Sequence, residues 1–272
     1  NYDAGNGLGF LLDGALNRTH YSMPGSLSEA EYESDRRKTN NPNDWAKRES
    51  GDIRGQVSKD WGAGGILTAD VSFRSQKNES EWALYDSKSE TDINTWGILP
   101  KYVLNHGIGG LSNRLTLGVD YYNTSMDTDN LQVNGTKTES IEYEMSSIGP
   151  YFLDELSLTQ ALLLSFGARY QKADYDITLK PVGGASSSYD PDEGLTAWTA
   201  GLTYNFQQGS KAYARVSRTF RLPTTQEYVT YGVFNNDLEA EKGYNYEVGG
   251  EWSFMPGGRL SLAFYLLQME DE

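Results

Sequence analysis

The chain contains no cysteine and only two histidines among its 272 residues. Without cysteine there is no disulfide, no thiol nucleophile and no thiolate metal site. Two histidines leave little material for histidine-based catalysis or metal binding. No stretch approaches the roughly eighteen consecutive apolar residues of a transmembrane helix, so a helical membrane protein is excluded.

Basic residues are also scarce, with 23 Lys and Arg against 38 Asp and Glu and a formal net charge of −15. Nucleic-acid binding requires a basic face, so the charge argues against nucleic acid as a partner. The chain has no glycine-rich phosphate loop, nucleophile elbow or zincin motif. We therefore expect no enzymatic activity and no cofactor.

The chain does carry a strict alternation of side chains, illustrated by residues 195–206. One parity is apolar and the other is small or polar: Trp198, Ala200, Leu202, Tyr204 and Phe206 against Thr199, Gly201, Thr203 and Asn205. Period-two alternation, with short turns at one end and long polar loops at the other, is typical of an outer-membrane β-barrel. The mean hydropathy of −0.61 is compatible with it, because only alternate residues would face lipid.

This pattern predicts about eleven strands. They cover residues 7–21, 51–61, 64–75, 91–105, 111–123, 138–153, 162–174, 195–206, 211–221, 243–254 and 258–268. The long loops, expected on the outer side of the membrane, cover residues 22–50, 76–90, 124–137, 175–194 and 222–242. The predicted fold class is all-β, an antiparallel up-and-down transmembrane β-barrel.

In such a barrel the apolar parity faces lipid and the charged parity faces a wet lumen. A charge on the lipid side at mid-depth costs about 2–4 kcal/mol for a basic residue and less for an acid, so the two parities are not interchangeable. Six residues are expected to face the lumen: Arg114, Asp120, Arg169, Arg215, Glu247 and Glu251. The alternation alone leaves open a soluble β-protein, in which the apolar parity would face a core and the many aromatics would bind carbohydrate.

An odd number of antiparallel strands cannot close neatly, since the first and last would run parallel. No signal peptide opens the chain, and residue 272 falls where a strand should pass into a loop. We expect residues 1–272 to be part of a barrel domain in a longer protein.

Two loop features point to local structure rather than chemistry. Ser28 and Glu31 have capping-box spacing, which predicts a short helix in the first long loop, with basic residues at 36–38 near its C-terminus. Loop acids could supply oxygen ligands for calcium, but none matches an EF-hand loop. We expect solvated acids and no metal site at Asp127 and Asp129, or at Asp190, Asp192 and Glu193.

Several segments, taken in order, resemble the barrel of TonB-dependent outer-membrane receptors of the siderophore type. The segment 220–224, Phe-Arg-Leu-Pro-Thr, with Glu227 beyond it, is similar to a strand-end motif of that family. So are residues 236–241 followed by 245–249, although Ala240 stands where the family usually has proline. Shorter similarities occur at 23–28, 117–122 and 166–170.

The resemblance implies a plugged, roughly 22-stranded barrel that imports a ferric siderophore or similar scarce metal chelate with energy transmitted by TonB. The implied partners are that ligand, the protein's own plug domain, TonB acting through the plug, and outer-membrane lipid and lipopolysaccharide. The plug and the remaining strands would lie outside residues 1–272, and the lumen-facing charges would contact the plug. A barrel for binding or adhesion without energised transport is the alternative.

Within this frame the last long loop is the expected capture site. Aromatic faces pack against chelator rings, and a cation suits an anionic complex. The candidate ligand-binding residues are Arg221, Tyr228, Tyr231 and Phe234. Packing within the loop is the competing role for the same side chains.

Overall fold

The computed structural model describes residues 2–207, 209–230, 232–255 and 257–270. Eleven long strands, numbered here in chain order, account for most of them. They are β1 Leu8–Ser22, β2 Trp45–Asp60, β3 Ile66–Trp82, β4 Ser87–Ile108, β5 Leu111–Leu131, β6 Lys137–Ser157, β7 Leu162–Pro181, β8 Asp192–Gln207, β9 Ser210–Arg221, β10 Glu241–Met255 and β11 Gly258–Glu270. Every predicted strand is present, and the all-β prediction is confirmed.

The strands form one sheet in which each pairs antiparallel with its sequence neighbour, from β1 to β11. Short strands also occur: Tyr2–Asp3 on β1, Ser187–Tyr189 on β7, and a separate pair, Val229–Thr230 with Val233–Phe234. A 3-10 turn covers Gly62–Gly64, and a one-turn helix covers Thr225–Tyr228. The up-and-down order follows from tight turns at one end of the sheet, where glycines such as Gly110 and Gly209 adopt positive φ. Among the described residues no helix is long and apolar enough to cross a membrane.

Strand register defines two faces along the whole sheet. We call the side that carries Arg114, Arg169 and Arg215 the lumen face, and the opposite side the lipid face. The lipid face exposes large apolar side chains over the stretch next to the tight turns, among them Leu12, Val71, Phe166, Val248 and Phe264. These side chains have no core to enter, because the sheet has a single layer.

One acid interrupts the lipid face near the tight turns. Asp154 lies between Leu115 and Phe166 in the register, and its Oδ1 accepts a hydrogen bond of 2.6 Å from Asn113 Nδ2. Asn113 itself is buried. The hydrogen bond reduces the cost of a polar group on an apolar face, since the cost of burying a polar group falls when it gains a partner.

The predicted long loops are wrong in extent. Residues 76–90 and 124–137 are mostly strand, and the connections shrink to a short 3-10 turn at Ala83–Tyr85 and a turn at residues 132–136. The strands continue because antiparallel pairing satisfies backbone N–H and C=O groups whether the surroundings are lipid or water. The alternation stops sooner, because outside the bilayer both faces of a strand are wet.

The short helix of the first loop is confirmed as Glu29–Ser34, with the capping box of Ser28 and Glu31 formed. Its last turn contains no basic residue, so the expected interaction with the helix C-terminus is absent. Lys38 instead binds Glu31 at 2.5 Å, and Arg36 lies over the Tyr32 ring at 5.0 Å. The hydrogen bond from Lys38 is the largest cause that lowers the pKa of Glu31 to about 2, followed by hydrogen bonds from Ser28.

Candidate functional site: the lumen face and the 222–240 loop

All six residues expected in the lumen lie on one face of the sheet, and each has a partner of opposite charge there. Arg169 Nη1 binds Asp120 at 2.5 Å, and Arg215 Nη2 binds Glu247 at 2.5 Å. Arg114 lies 3.9 Å from Glu155, and Glu251 accepts from Lys211 at 3.0 Å and from Arg259 at 3.4 Å. The charges therefore form pairs across neighbouring strands, and their contact with a plug stays a prediction.

The pair of Asp120 and Arg169 spans three strands. Asp120 is on β5, Arg169 is on β7, and Gly149 of β6 lies between them. A Cβ at Gly149 would occupy the space of the Arg169 guanidinium and of Gln171 Oε1, which hydrogen-bonds that guanidinium. Because Gly149 has no side chain, the Arg169 side chain can reach across β6 to Asp120.

We expect Gly149→Val to displace Arg169 from Asp120 and to destabilise the folded receptor by about 1–3 kcal/mol, the usual range for overpacking. Gly55→Val is the matched control, because nothing lies within 4 Å of a Cβ built at Gly55. Denaturant unfolding of the full-length receptor in detergent micelles measures both. Equal midpoints for the two variants would contradict this account of the crossing.

At the end of the sheet away from the tight turns, the lumen face changes from charged to apolar. Tyr143 of β6 and Ala173, Tyr175 and Ile177 of β7 are buried there and form one hydrophobic cluster. The Tyr143 and Tyr175 rings lie 6.0 Å apart. The connection between β9 and β10, residues 222–240, packs against this cluster. We call this connection the 222–240 loop.

Tyr228 anchors the loop in that cluster. The side chain has no exposed surface, and its ring lies 5.1 Å from the Tyr175 ring and 6.1 Å from the Tyr189 ring. Burial raises the pKa of Tyr228, so its hydroxyl stays neutral across the working pH range. Half-buried Phe234 adds a second contact, with its ring 5.7 Å from Tyr189.

Arg221 closes the base of the loop. Its Nη1 and Nη2 donate to the two carboxylate oxygens of Glu227 at 3.0 and 2.8 Å, and Nε donates to Glu241 Oε2 at 2.9 Å, with a further bond from Nη2 to Glu241 Oε1. Glu227 Oε2 also accepts from the Thr224 backbone N–H at 2.6 Å and from Thr224 Oγ1 at 2.9 Å. We call Arg221, Glu227 and Glu241 the latch.

Charge pairing in the latch lowers the pKa of both of its carboxyl groups. The hydrogen bond from Arg221 is the largest cause that lowers the pKa of Glu227, to about 2, and the same guanidinium lowers the pKa of Glu241. Glu193, which lies beside the loop, has its pKa raised by burial. The latch is therefore fully ionised at neutral pH.

The structure places three of the four predicted ligand-binding residues in the 222–240 loop or at its base. Arg221 is engaged by two carboxylates, Tyr228 is enclosed, and Phe234 keeps some exposure. Tyr231 lies outside the described residues. Sequence reasoning missed the wall side of the site, Tyr143, Tyr175 and Tyr189, although apolar residues alternate with charged ones around each of the first two.

Among the described residues no group of three or more His, Asp or Glu side chains is arranged to hold a metal ion. Of the acids considered for calcium, Asp129 has other partners: it binds Lys137 at 2.6 Å and accepts from Ser140 at 2.7 Å. The hydrogen bond from Lys137 is the largest cause that lowers its pKa.

Comparison with known proteins decides the family. The family described as "TonB dependent receptor-like, beta-barrel" matches residues 1–272. The chain belongs to this family. It is thus a TonB-dependent receptor barrel, a class of outer-membrane receptors, and the resemblance inferred from its motifs is confirmed.

Solved structures share the fold of this receptor barrel at low sequence identity. The ferric-catecholate import receptor Fiu from E. coli K12, in its closed form, superposes with a TM-score of 0.78 at 13% identity over 99% of this chain and 50% of that one. The ferric citrate transporter FecA in the unliganded form gives 0.78 at 15% identity, over 96% and 40%. The ferripyoverdine receptor of the Pseudomonas aeruginosa outer membrane, bound to ferripyoverdine, gives 0.75 at 13% identity, over 100% and 41%.

The chain therefore spans about half or less of the length of these receptors. No curated protein sequence matches it.

Proposed function

We propose that this chain forms wall and outer loops of a receptor that imports a ferric siderophore or similar scarce metal chelate, energised by TonB. The observation that carries the proposal is that a receptor-family wall holds the 222–240 loop on its lumen face. A loop in that position stands beside the path of any ligand that enters the barrel. The role is binding and transport, without catalysis.

In this proposal residues 1–272 are one part of the barrel domain, and a plug domain and further strands come from elsewhere in the protein. The paired charges of the lumen face, from Arg114 to Glu251, supply the plug with a polar, hydrogen-bonding wall. Because each charge already has a partner, a plug could slide or rearrange against this wall without leaving an isolated charge in the lumen.

Within the loop we assign direct ligand contact to Tyr231 and Phe234, and assembly of the site to Tyr228 and Arg221. Phe234 retains exposure, whereas Tyr228 has none. Replacing Tyr231 and Phe234 together by alanine should weaken chelate binding roughly tenfold, since an aromatic contact contributes about 0.5–1.5 kcal/mol. Tyr85→Ala, at an exposed tyrosine of another connection, is the matched control, and unchanged affinity in the double variant would remove the assignment.

Uptake by iron-starved cells tests the function itself. Cells that express the full-length receptor are given a panel of radioiron-labelled chelates (catecholate, hydroxamate and citrate complexes), in strains with and without TonB. We expect accumulation of at least one chelate only when TonB is present. Binding without TonB-dependent accumulation would favour the non-energised binding barrel, and absence of both for every chelate would refute the import of iron chelates.

A further inference from the structure

Three polar side chains lie close together on the lipid face near the tight turns. His106 of β4 lies opposite Asn113 of β5 in the register, and Asp154 of β6 lies diagonally next to Asn113. His106 is two residues and Asp154 three residues from the end of its strand, within about 10 Å at 3.3 Å per residue. Since the tight turns of such barrels face the periplasm, these side chains lie at the level of the headgroups of the inner leaflet. We call the three side chains the acceptor cluster.

Asp154 carries a negative charge that no cation of the wall balances. Its hydrogen bond comes from the neutral amide of Asn113, and within the described part of the chain no lysine or arginine pairs with it. The lipid-face positions of β4 to β7 over the half next to the tight turns contain no lysine or arginine. The four nearest positions on that face are all apolar: Leu115, Phe152, Leu156 and Phe166. A carboxylate in apolar surroundings is costly unless a cation pairs with it.

Two further polar atoms of the acceptor cluster lack a partner. Asn113 is only 2% exposed; its Nδ2 donates to Asp154, and its Oδ1 is buried without a hydrogen-bond donor. His106 Nδ1 is likewise buried and unpartnered. With the ring proton on Nε2, this nitrogen is an acceptor, like Asn113 Oδ1 and the carboxylate. Because nearly all buried polar groups in folded proteins have partners, the cluster has the features of a site for a cationic hydrogen-bond donor.

A primary ammonium complements the acceptor cluster in charge and in hydrogen bonding. It carries one positive charge and three N–H donors, whereas a quaternary ammonium has the charge and no N–H. Asp154 and His106 are half-buried, so a donor on the lipid side reaches the carboxylate directly and reaches the inner acceptors once the imidazole turns. Charges in such apolar surroundings are screened less than charges in water, which strengthens the attraction between them.

We propose that the acceptor cluster binds the primary ammonium of an aminophospholipid headgroup in the inner leaflet. The ammonium pairs with Asp154, and charge-assisted hydrogen bonds of this kind are roughly twice as strong as neutral ones. The acyl chains lie along the apolar side chains toward the bilayer centre, beside the Phe152 and Phe166 rings, which are 5.7 Å apart. This site goes beyond the proposed import function and is independent of which ligand the receptor takes up.

The test compares two phospholipids with identical acyl chains on the full-length receptor in detergent micelles, with native mass spectrometry to count bound lipid. One has an ethanolamine headgroup with a primary ammonium, and the other has a choline headgroup with the same charge and no N–H donor. We expect the ethanolamine lipid to be retained on the order of tenfold more strongly, the equivalent of one charge-assisted contact. Equal retention of the two lipids would overturn the proposal, even without any variant.

Two substitutions then locate the site. Asp154→Asn removes the charge at nearly the same shape and should lose the preference for the ethanolamine lipid, whereas Asp154→Glu should keep part of it because the carboxylate remains. Asp52→Asn, which removes a carboxylate opposite Arg74 on the lumen face, is the matched control and should keep the full preference. Retained preference in Asp154→Asn, or displacement of the lipid by free ethanolamine at the lipid's own concentration, would refute lipid binding at this residue.

Discussion

Tyr228→Ala is expected to free the 222–240 loop from the wall while the barrel remains folded. The substitution removes a fully buried ring from contact with Tyr175 and Tyr189. Loss of a buried aromatic side chain costs about 3–5 kcal/mol. The other apolar side chains of the loop that pack on the cluster, Leu222, Val229, Phe234 and Leu238, are only partly buried. Limited proteolysis of the full-length receptor in micelles should then cut within residues 222–240 much faster than in the unaltered protein.

Tyr228→Phe distinguishes packing from hydrogen bonding at the same position. It keeps the ring and removes the hydroxyl, so we expect nearly unchanged protection of the loop. Tyr85→Ala serves as the exposed control. Should Tyr228→Ala leave the cleavage rate unaltered, the ring contacts of Tyr228 would not be what holds the loop.

Arg221→Met is expected to open the base of the loop and to make its closure dependent on pH. Without the guanidinium, Glu227 and Glu241 face each other as like charges, so at neutral pH the loop should be cut faster. Lowering the pH should restore protection in the variant, because protonation of either carboxyl group removes the repulsion.

The unaltered receptor should show the opposite pH dependence. The pKa of Glu227 is about 2 in the folded state and about 4.3 in the unfolded chain. The stabilisation from its ion pair is therefore complete above about pH 4.3 and is lost as the pH falls from there toward the folded-state pKa. Protection of the loop from proteolysis should thus be constant between about pH 5 and about pH 8 and should decline in stronger acid. Proteolysis with pepsin in acid and with a neutral protease above pH 5 follows both proteins, and parallel curves would contradict the latch.

The sequence predicts the strands of this fold well near the tight turns and poorly at the far end. On β7 the even-numbered residues are apolar up to Tyr170, which identifies the lipid face. Beyond that point the even positions carry Lys172, Asp174 and Asp176, while the odd positions become apolar. The backbone register is unchanged, but the polarity of the two faces is exchanged, so a search for one continuous apolar parity ends the strand too early.

The same exchange explains which part of the site was missed. Tyr143 stands between Glu142 and Glu144 in a predicted strand, and Tyr175 stands between Asp174 and Asp176 at the start of a predicted loop, so neither has an apolar neighbour next to it in sequence. Their partner, Tyr228, is far away in sequence, and no local pattern links the three. Motif similarity located Arg221 and Glu227, but the contact that joins them to Glu241 depends on the pairing of β9 with β10.

The paired extensions of β3 with β4 and of β5 with β6 have a consequence for what can reach the receptor. From the last lipid-facing aromatic of β3, Phe73, the strand continues to Trp82, which at 3.3 Å per residue and the usual tilt raises its tip about 20 Å above the bilayer. The hydrogen bonds between the paired strands make these extensions rigid. Antibodies and other large proteins that approach from outside would therefore meet the exposed side chains of Leu84 and Val133 first.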